Sequence, residues 1–159
     1  FLFSDTIRNN VAFGAHEHVT DEAIINALTK AHVWHNIQEF PDQLDTQLGE
    51  LGVNLSGGQK QRISIARALI RKPRLLLMDD CLSAVDTETE EIILHELRSL
   101  PQAPSIVMVS HRISTLRNCE QIIVLENGEI IEMGSPELLM KQKGVYYETY
   151  LQQLNEEQS

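Results

Sequence analysis

The chain has 159 residues, 42% of them hydrophobic, with a formal net charge of −10. That is enough for one domain of ordinary size with its own core, and its acidity argues against nucleic acid or anionic lipid as a direct partner. No run approaches the ~18 consecutive apolar residues that a membrane-spanning helix needs, and no signal peptide is present.

In chain order, Phe1–Gly14 is a mixed apolar segment ending in a glycine turn. A first residue other than Met suggests a cut piece. Phe1, Leu2 and Phe3 suit a local core or a partner contact, and at least two of them are expected in the core. Thr20-Asp21-Glu22 opens a helix, with a cap residue and early acids, and Ala23, Ile24, Ala27, Leu28 and Ala31 share one side. A short helix over Trp34–Phe40, ended by Pro41, is predicted next, with Trp34 in the core. His16, His18, His32 and His35 are not spaced as a metal set. Asp45–Gly52 is a loop by its glycines.

Leu55-Ser-Gly-Gly-Gln59 precedes a helical pattern. Ser56 and Gln59 have capping-box spacing, and Gly57 and Gly58 leave backbone N–H groups open where the chain turns. A bare helix N-terminus binds anions, phosphate above all, although these five residues fit an ordinary cap equally well. The helix is predicted over Gln59–Arg71, with Ile63, Ala66 and Ile70 on one face, Arg71 and Lys72 in the last turn, and Pro73 beyond. Arg62 and Arg67 read as solvated or paired with acids. Leu75–Met78 is a continuous apolar run that suits a parallel strand buried on both faces. Asp79 and Asp80 follow at its carboxyl end, where open α/β sheets bind ligands. Asp79 suits Mg²⁺, which takes one or two carboxylates plus phosphate oxygens; an acidic pair capping a turn is the plainer alternative.

Beyond Asp86, a helix over Thr87–Leu100 carries Glu88, Glu90 and Glu91 early and Ile93, Leu97 and Leu100 on its inner face. Ser105–Ser110 is a second buried strand, with His111 at its end. Asn127-Gly128 between Gln121–Glu126 and Glu129–Gly134 predicts a hairpin. Ser135-Pro136 starts another helix, and a last amphipathic helix carries Val145, Tyr146, Tyr150, Leu151 and Leu154, followed by a frayed polar tail, Asn155–Ser159. Cys81 and Cys119 have neither metal nor redox spacing and read as free thiols in a reducing compartment.

Taken together, Leu55-Ser-Gly-Gly-Gln59, the apolar run ending in Asp79, Ser83-Ala-Val-Asp86 and the isolated His111 resemble the nucleotide-binding domain of ATP-binding cassette (ABC) transporters. They match that family's signature motif, Walker B, D-loop and switch histidine in order and spacing. Phe1–Gly14 resembles the segment after the Q-loop of exporters, where Phe1–Phe3 would face coupling helices. Asp45–Gly52 resembles the exporters' X-loop, with Glu50 at the acidic position and Leu51 replacing a common Arg. The resemblance implies an α/β fold, part of a P-loop NTPase core, with residues 1–72 a helical signature-bearing subdomain. Residues 73–159 would be the C-terminal part of the ATPase core, with parallel strands, a hairpin and helices. It implies ATP and Mg²⁺, with Ser56, Gly57, Gly58, Gln59 and Asp86 binding nucleotide, Asp79 holding the metal, and Asp80 and His111 catalytic. The implied partners are a second nucleotide-binding domain and a transmembrane domain, with no nucleic acid, at the cytoplasmic face of a membrane.

Two departures stand out. No Gly-x-x-x-x-Gly-Lys-Ser/Thr loop occurs in the 159 residues, so this stretch alone is expected neither to bind ATP normally nor to hydrolyse it. Asp80 stands where the family usually has a Glu, one methylene longer, and a misplacement of ~1 Å can cost roughly 100-fold in rate. Asp80 beside an intact signature resembles one half of a heterodimeric exporter with unequal sites. A soluble cassette ATPase acting on DNA or ribosomes, or a non-catalytic regulatory half-domain, are the alternatives. The acidic charge, Thr6–Asn10 and the X-loop weigh against the former; Asp80 keeps the latter open.

Overall fold

The computed structural model describes residues 1–15, 18–49 and 52–157, so His16, Glu50 and Leu51 lie outside the described residues. The chain divides into two compact units, Phe1–Val109 and Ser110–Ser159.

The first unit joins five α-helices and a small sheet in one core. The helices are α1 (Ile7–Ala12), α2 (Asp21–Lys30), α3 (Trp34–Ile37), α4 (Gly57–Leu69) and α5 (Thr87–Arg98); strands β1 (Leu75–Asp79) and β2 (Ser105–Val109) pair in parallel. Ile7, Val11, Leu28, Ile63, Ile93 and Leu97 are buried in its core. Thr20 caps α2 as expected, its hydroxyl accepting from the Ala23 N–H. The segment before Gly14 holds an unpredicted helix: α1 has only six residues, too few for a periodic pattern, and is capped by Thr6. Of the first three residues only Leu2 packs against the core; Phe3 is half-buried against Phe1 and Phe13, and Phe1 is exposed, so the expectation of two core residues is not met. Trp34 packs against the core, but α3 stops at Ile37 rather than Phe40.

Helix α4 begins and ends earlier than its periodicity suggests. Ser56 is extended, its Oγ accepting from the Gln59 N–H (3.2 Å) while Gln59 Oε1 accepts from the Ser56 N–H (2.9 Å). With the box closed at Ser56, the next residue is already helical. Lys72 turns left-handed at φ 48°, so Arg71 and Lys72 lie past the last turn and Arg67 is its basic residue. The parallel pairing of β1 and β2 is as expected, but burial on both faces is not. Leu76 and Met78 point into the core, whereas Leu77 is 70% exposed and Leu75, Val107 and Val109 are each more than half exposed. Among the described residues of this unit, one face of the sheet is buried and the other is exposed.

The second unit contains α6 (Ile113–Leu116), the antiparallel hairpin β3 (Ile122–Glu126) and β4 (Glu129–Gly134), then α7 (Pro136–Gln142) and α8 (Val145–Glu157). Asn127 and Gly128 both take positive φ (51° and 82°), as a two-residue hairpin turn requires. Ser135 caps α7 with Pro136 at its first position. The expected frayed tail is helical as far as Glu157; a Gln152–Glu156 side-chain hydrogen bond (3.4 Å) spans that last turn. Ile113, Ile122, Leu139 and Tyr146 form this unit's own core.

Candidate functional site

The first turn of α4 is built against the turn that follows β1. A Cβ on Gly58 would lie 2.7 Å from the Ala84 carbonyl oxygen, and one on Gly57 3.2 Å from the Ala84 Cβ. Both glycines are helical, so they serve close approach rather than a chain reversal. Gln61, one turn further along the same face, completes the contact. Its Nε2 donates to Ser83 Oγ (3.0 Å) and to the Asp80 carbonyl (3.4 Å), and its Oε1 accepts from the Ala84 N–H (2.9 Å).

Asp79 is the last residue of β1, level with Val109 of β2, and is exposed. Asp80 leaves the strand line at φ 45°, a left-handed conformation that Asp tolerates better than most residues. Its N–H donates to the Val109 carbonyl (3.0 Å) and its carbonyl accepts from Ser83 Oγ (2.9 Å), so backbone bonds set the carboxylate's position. The exposed carboxylate of Asp79 is an oxygen donor of the kind a hard cation such as Mg²⁺ takes, its other ligands coming from phosphate and water. Among the described residues no cluster of three or more His, Cys, Asp or Glu side chains could hold a metal without such help. Next in line, the Cys81 thiol is pushed up to about 11 by burial, so it is neutral near pH 7.

Asp86 caps α5, its carboxylate accepting from the Thr89 N–H at 2.9 Å. That bond, and a second from the Thr89 side chain, hold its pKa below the usual carboxylate value. His111 lies in the second unit with its side chain exposed. A glutamine fixes its backbone: Gln153 of α8 donates from Nε2 to the His111 carbonyl (2.6 Å) and accepts at Oε1 from the Ile113 N–H (2.9 Å). Ser56, Gly57, Gly58, Gln59, Asp79, Asp80 and Asp86 all lie in the first unit, where the two glycines meet the Asp80–Val85 turn, while His111 belongs to the other.

Among the described residues the arginines of α4 bond to backbone carbonyls and asparagine side chains, with Asp86 adding an attraction at Arg62. Arg67 donates to the Asn10 carbonyl (2.7 Å), to Asn10 Oδ1 (2.6 Å) and to the Phe1 carbonyl (2.9 Å), and lies over the rings of Phe3 and Phe13. Arg62 donates to the His32 and Gly58 carbonyls and to Asn36 Oδ1. Burial lowers the pKa of both. Gln61 was legible in principle: it sits three and four residues after the paired glycines, so it shares their face. Gln153 has no such signal.

A family model described as ABC transporter matches residues 2–83, more than half of the chain. The chain belongs to the ABC transporter family. It is 46% identical over 152 residues to an ATP-dependent lipid A-core flippase of Shewanella oneidensis, covering 96% of this chain and 25% of that protein. It is 40% identical over 149 residues to the flippase of the same description from Francisella tularensis subsp. tularensis, covering 94% and 24%. A bacterial Atm1-family ABC exporter with ATP bound superimposes with a TM-score of 0.89 at 38% identity, over 96% of this chain and 27% of that one. The chain thus spans about a quarter of the length of these relatives. Its fold is part of the P-loop NTPase core of an exporter-type nucleotide-binding domain.

Proposed function

We propose that the chain is part of the ATP-hydrolysing engine of an ABC exporter, working in a head-to-tail pair of nucleotide-binding domains at the cytoplasmic face of a membrane. The second domain, equal or unequal, and a transmembrane domain are its partners. Residues 1–72 form the helical subdomain that carries the signature, and residues 73–159 the C-terminal part of the ATPase core. The observation that carries this reading is the capped, side-chain-free tip of α4 seated on the turn that bears Asp80. Such a tip presents N–H groups and a positive dipole end to phosphate.

In the pair, Ser56, Gly57, Gly58 and Gln59 engage the γ-phosphate of a nucleotide whose other half the partner holds. Asp79 would hold Mg²⁺, which neutralises charge developing on the phosphates. Asp80 accepts a hydrogen bond from the attacking water, and His111 bonds the γ-phosphate or that water. Water oxygen bonds to the γ-phosphorus and gives up a proton to the phosphate or to solvent, and the bond to the bridging oxygen breaks with its electrons leaving on ADP. Asp86 caps α5 and fixes the end of the D-loop. Because Asp80 is one methylene shorter than the usual Glu, its site is the slow one, and the signature completes a competent site on the partner.

The test is turnover of the full-length protein in its complete transporter. Ser56→Arg should abolish ATP hydrolysis, whereas Asp80→Asn should lower it less than twofold. Unchanged turnover in Ser56→Arg would remove the signature role. A severe loss in Asp80→Asn would remove the inequality of the two sites.

A further inference from the structure

We propose that Gln61 is a positioning residue that locks the signature tip of α4 to the turn carrying Asp80, so that the tip meets the partner's nucleotide with its geometry already set. This rests on the functional reading above and adds a residue and a coupling to it.

One side-chain amide makes three bonds, all to the segment between Asp80 and Ala84, at 2.9, 3.0 and 3.4 Å. Donor and acceptor ends are both used, so the amide has one orientation and one seat. Ser83 Oγ, which accepts from Gln61, itself donates to the Asp80 carbonyl (2.9 Å). The chain of bonds therefore runs from α4 through Ser83 to the backbone of Asp80. Asp80 needs such support, because its left-handed φ of 45° persists only where surroundings fix it. The glycine contacts lie on the same helix face. With Ala84 carbonyl 2.7 Å from where a Gly58 Cβ would be, the first turn cannot slide along the Asp80–Val85 turn without displacing it. A helix tip gripped by a phosphate and a carboxylate aimed at a water are thus two ends of one rigid piece, with Gln61 as its strut. Arg62 and Arg67, further along α4, turn instead toward Asn36 and Asn10.

The experiment uses the full-length transporter with Gln61→Met, which keeps length and bulk but loses all three bonds, and Gln61→Glu, which keeps only the acceptor for the Ala84 N–H. For both variants kcat for ATP should fall about tenfold, because the loosened tip serves the partner's competent site, with KM for ATP within twofold of wild type and the thermal midpoint little moved. Ser83→Ala should show a smaller loss, and Gln61→Met combined with Ser83→Ala should lose less than the product of the two, because they share one path. Wild-type kcat in Gln61→Met overturns the proposal. So does collapse of the thermal midpoint in both variants, which would make Gln61 a fold element, or strictly multiplicative losses in the double variant. A wild-type transporter with no ATPase activity would instead remove the functional reading itself, whatever the variants do.

Discussion

Arg67 shows what a charged side chain does when its helix face is not solvated. Its guanidinium reaches the carbonyls of Phe1 and Asn10 and the buried Asn10 side chain, and it lies over the touching rings of Phe3 and Phe13. Asn10 is fully buried and its Nδ2 donates to the carbonyls of Phe3 and Thr6, so the two residues together pin the first ten residues onto α4. Arg67→Ala should destabilise the domain by about 2–4 kcal/mol, the loss of several charge-assisted bonds plus a cation–π contact, read as a fall in the urea unfolding midpoint. Arg67→Lys should recover little of it, because a single ammonium cannot replace a planar fork that serves two residues at once. From sequence alone such an arginine is indistinguishable from a solvated one. Its partners are backbone carbonyls more than fifty residues away, and carbonyls have no residue type to read.

At the scale of the element, α4 separates two glycines that look alike in sequence. Gly58→Ala would drive a Cβ into backbone at 2.7 Å, so the gain in helix propensity is outweighed and stability should fall by about 1–3 kcal/mol. Gly57→Ala meets only the Ala84 methyl at 3.2 Å and should leave stability near wild type. Thermal unfolding of the two variants side by side makes the check. Elements with a strong local signature were legible: the capping box at Ser56, the hairpin turn at Asn127-Gly128, the Ser135-Pro136 start, the parallel strand pair. What escaped had a reason. Helix α1 is shorter than the window in which a period shows, and it stands on Thr6, Asn10 and Arg67. The run Leu75–Met78 reads as buried on both sides because side-chain type reports the environment a strand is made for. In this chain only Leu76 and Met78 find theirs. The acids and glycines of the candidate site stand out by type and spacing; of the glutamines that bracket the nearby turns, Gln61 shares the glycines' helix face, whereas Gln153 depends on contacts distant in sequence and carries no such signal.

For the whole molecule, the exposed face of β1 and β2 and the absent phosphate-cradling loop have a joint consequence. Leu75, Leu77, Val107 and Val109 form a bare apolar sheet face on a two-stranded sheet, and such surfaces associate. The 159 residues alone should therefore show no Mg-ATP binding in calorimetry at micromolar nucleotide, and their light scattering should rise with concentration. Tight binding by this stretch alone would mean that nucleotide is held without a lysine loop. The second unit carries a quieter consequence. Gln153 lies on the final helix, yet both ends of its amide grip the loop of His111, some forty residues earlier. Trimming from Leu151 onward, an inviting cut because it spares every recognisable motif, would slacken that loop and blunt the machine from its tail.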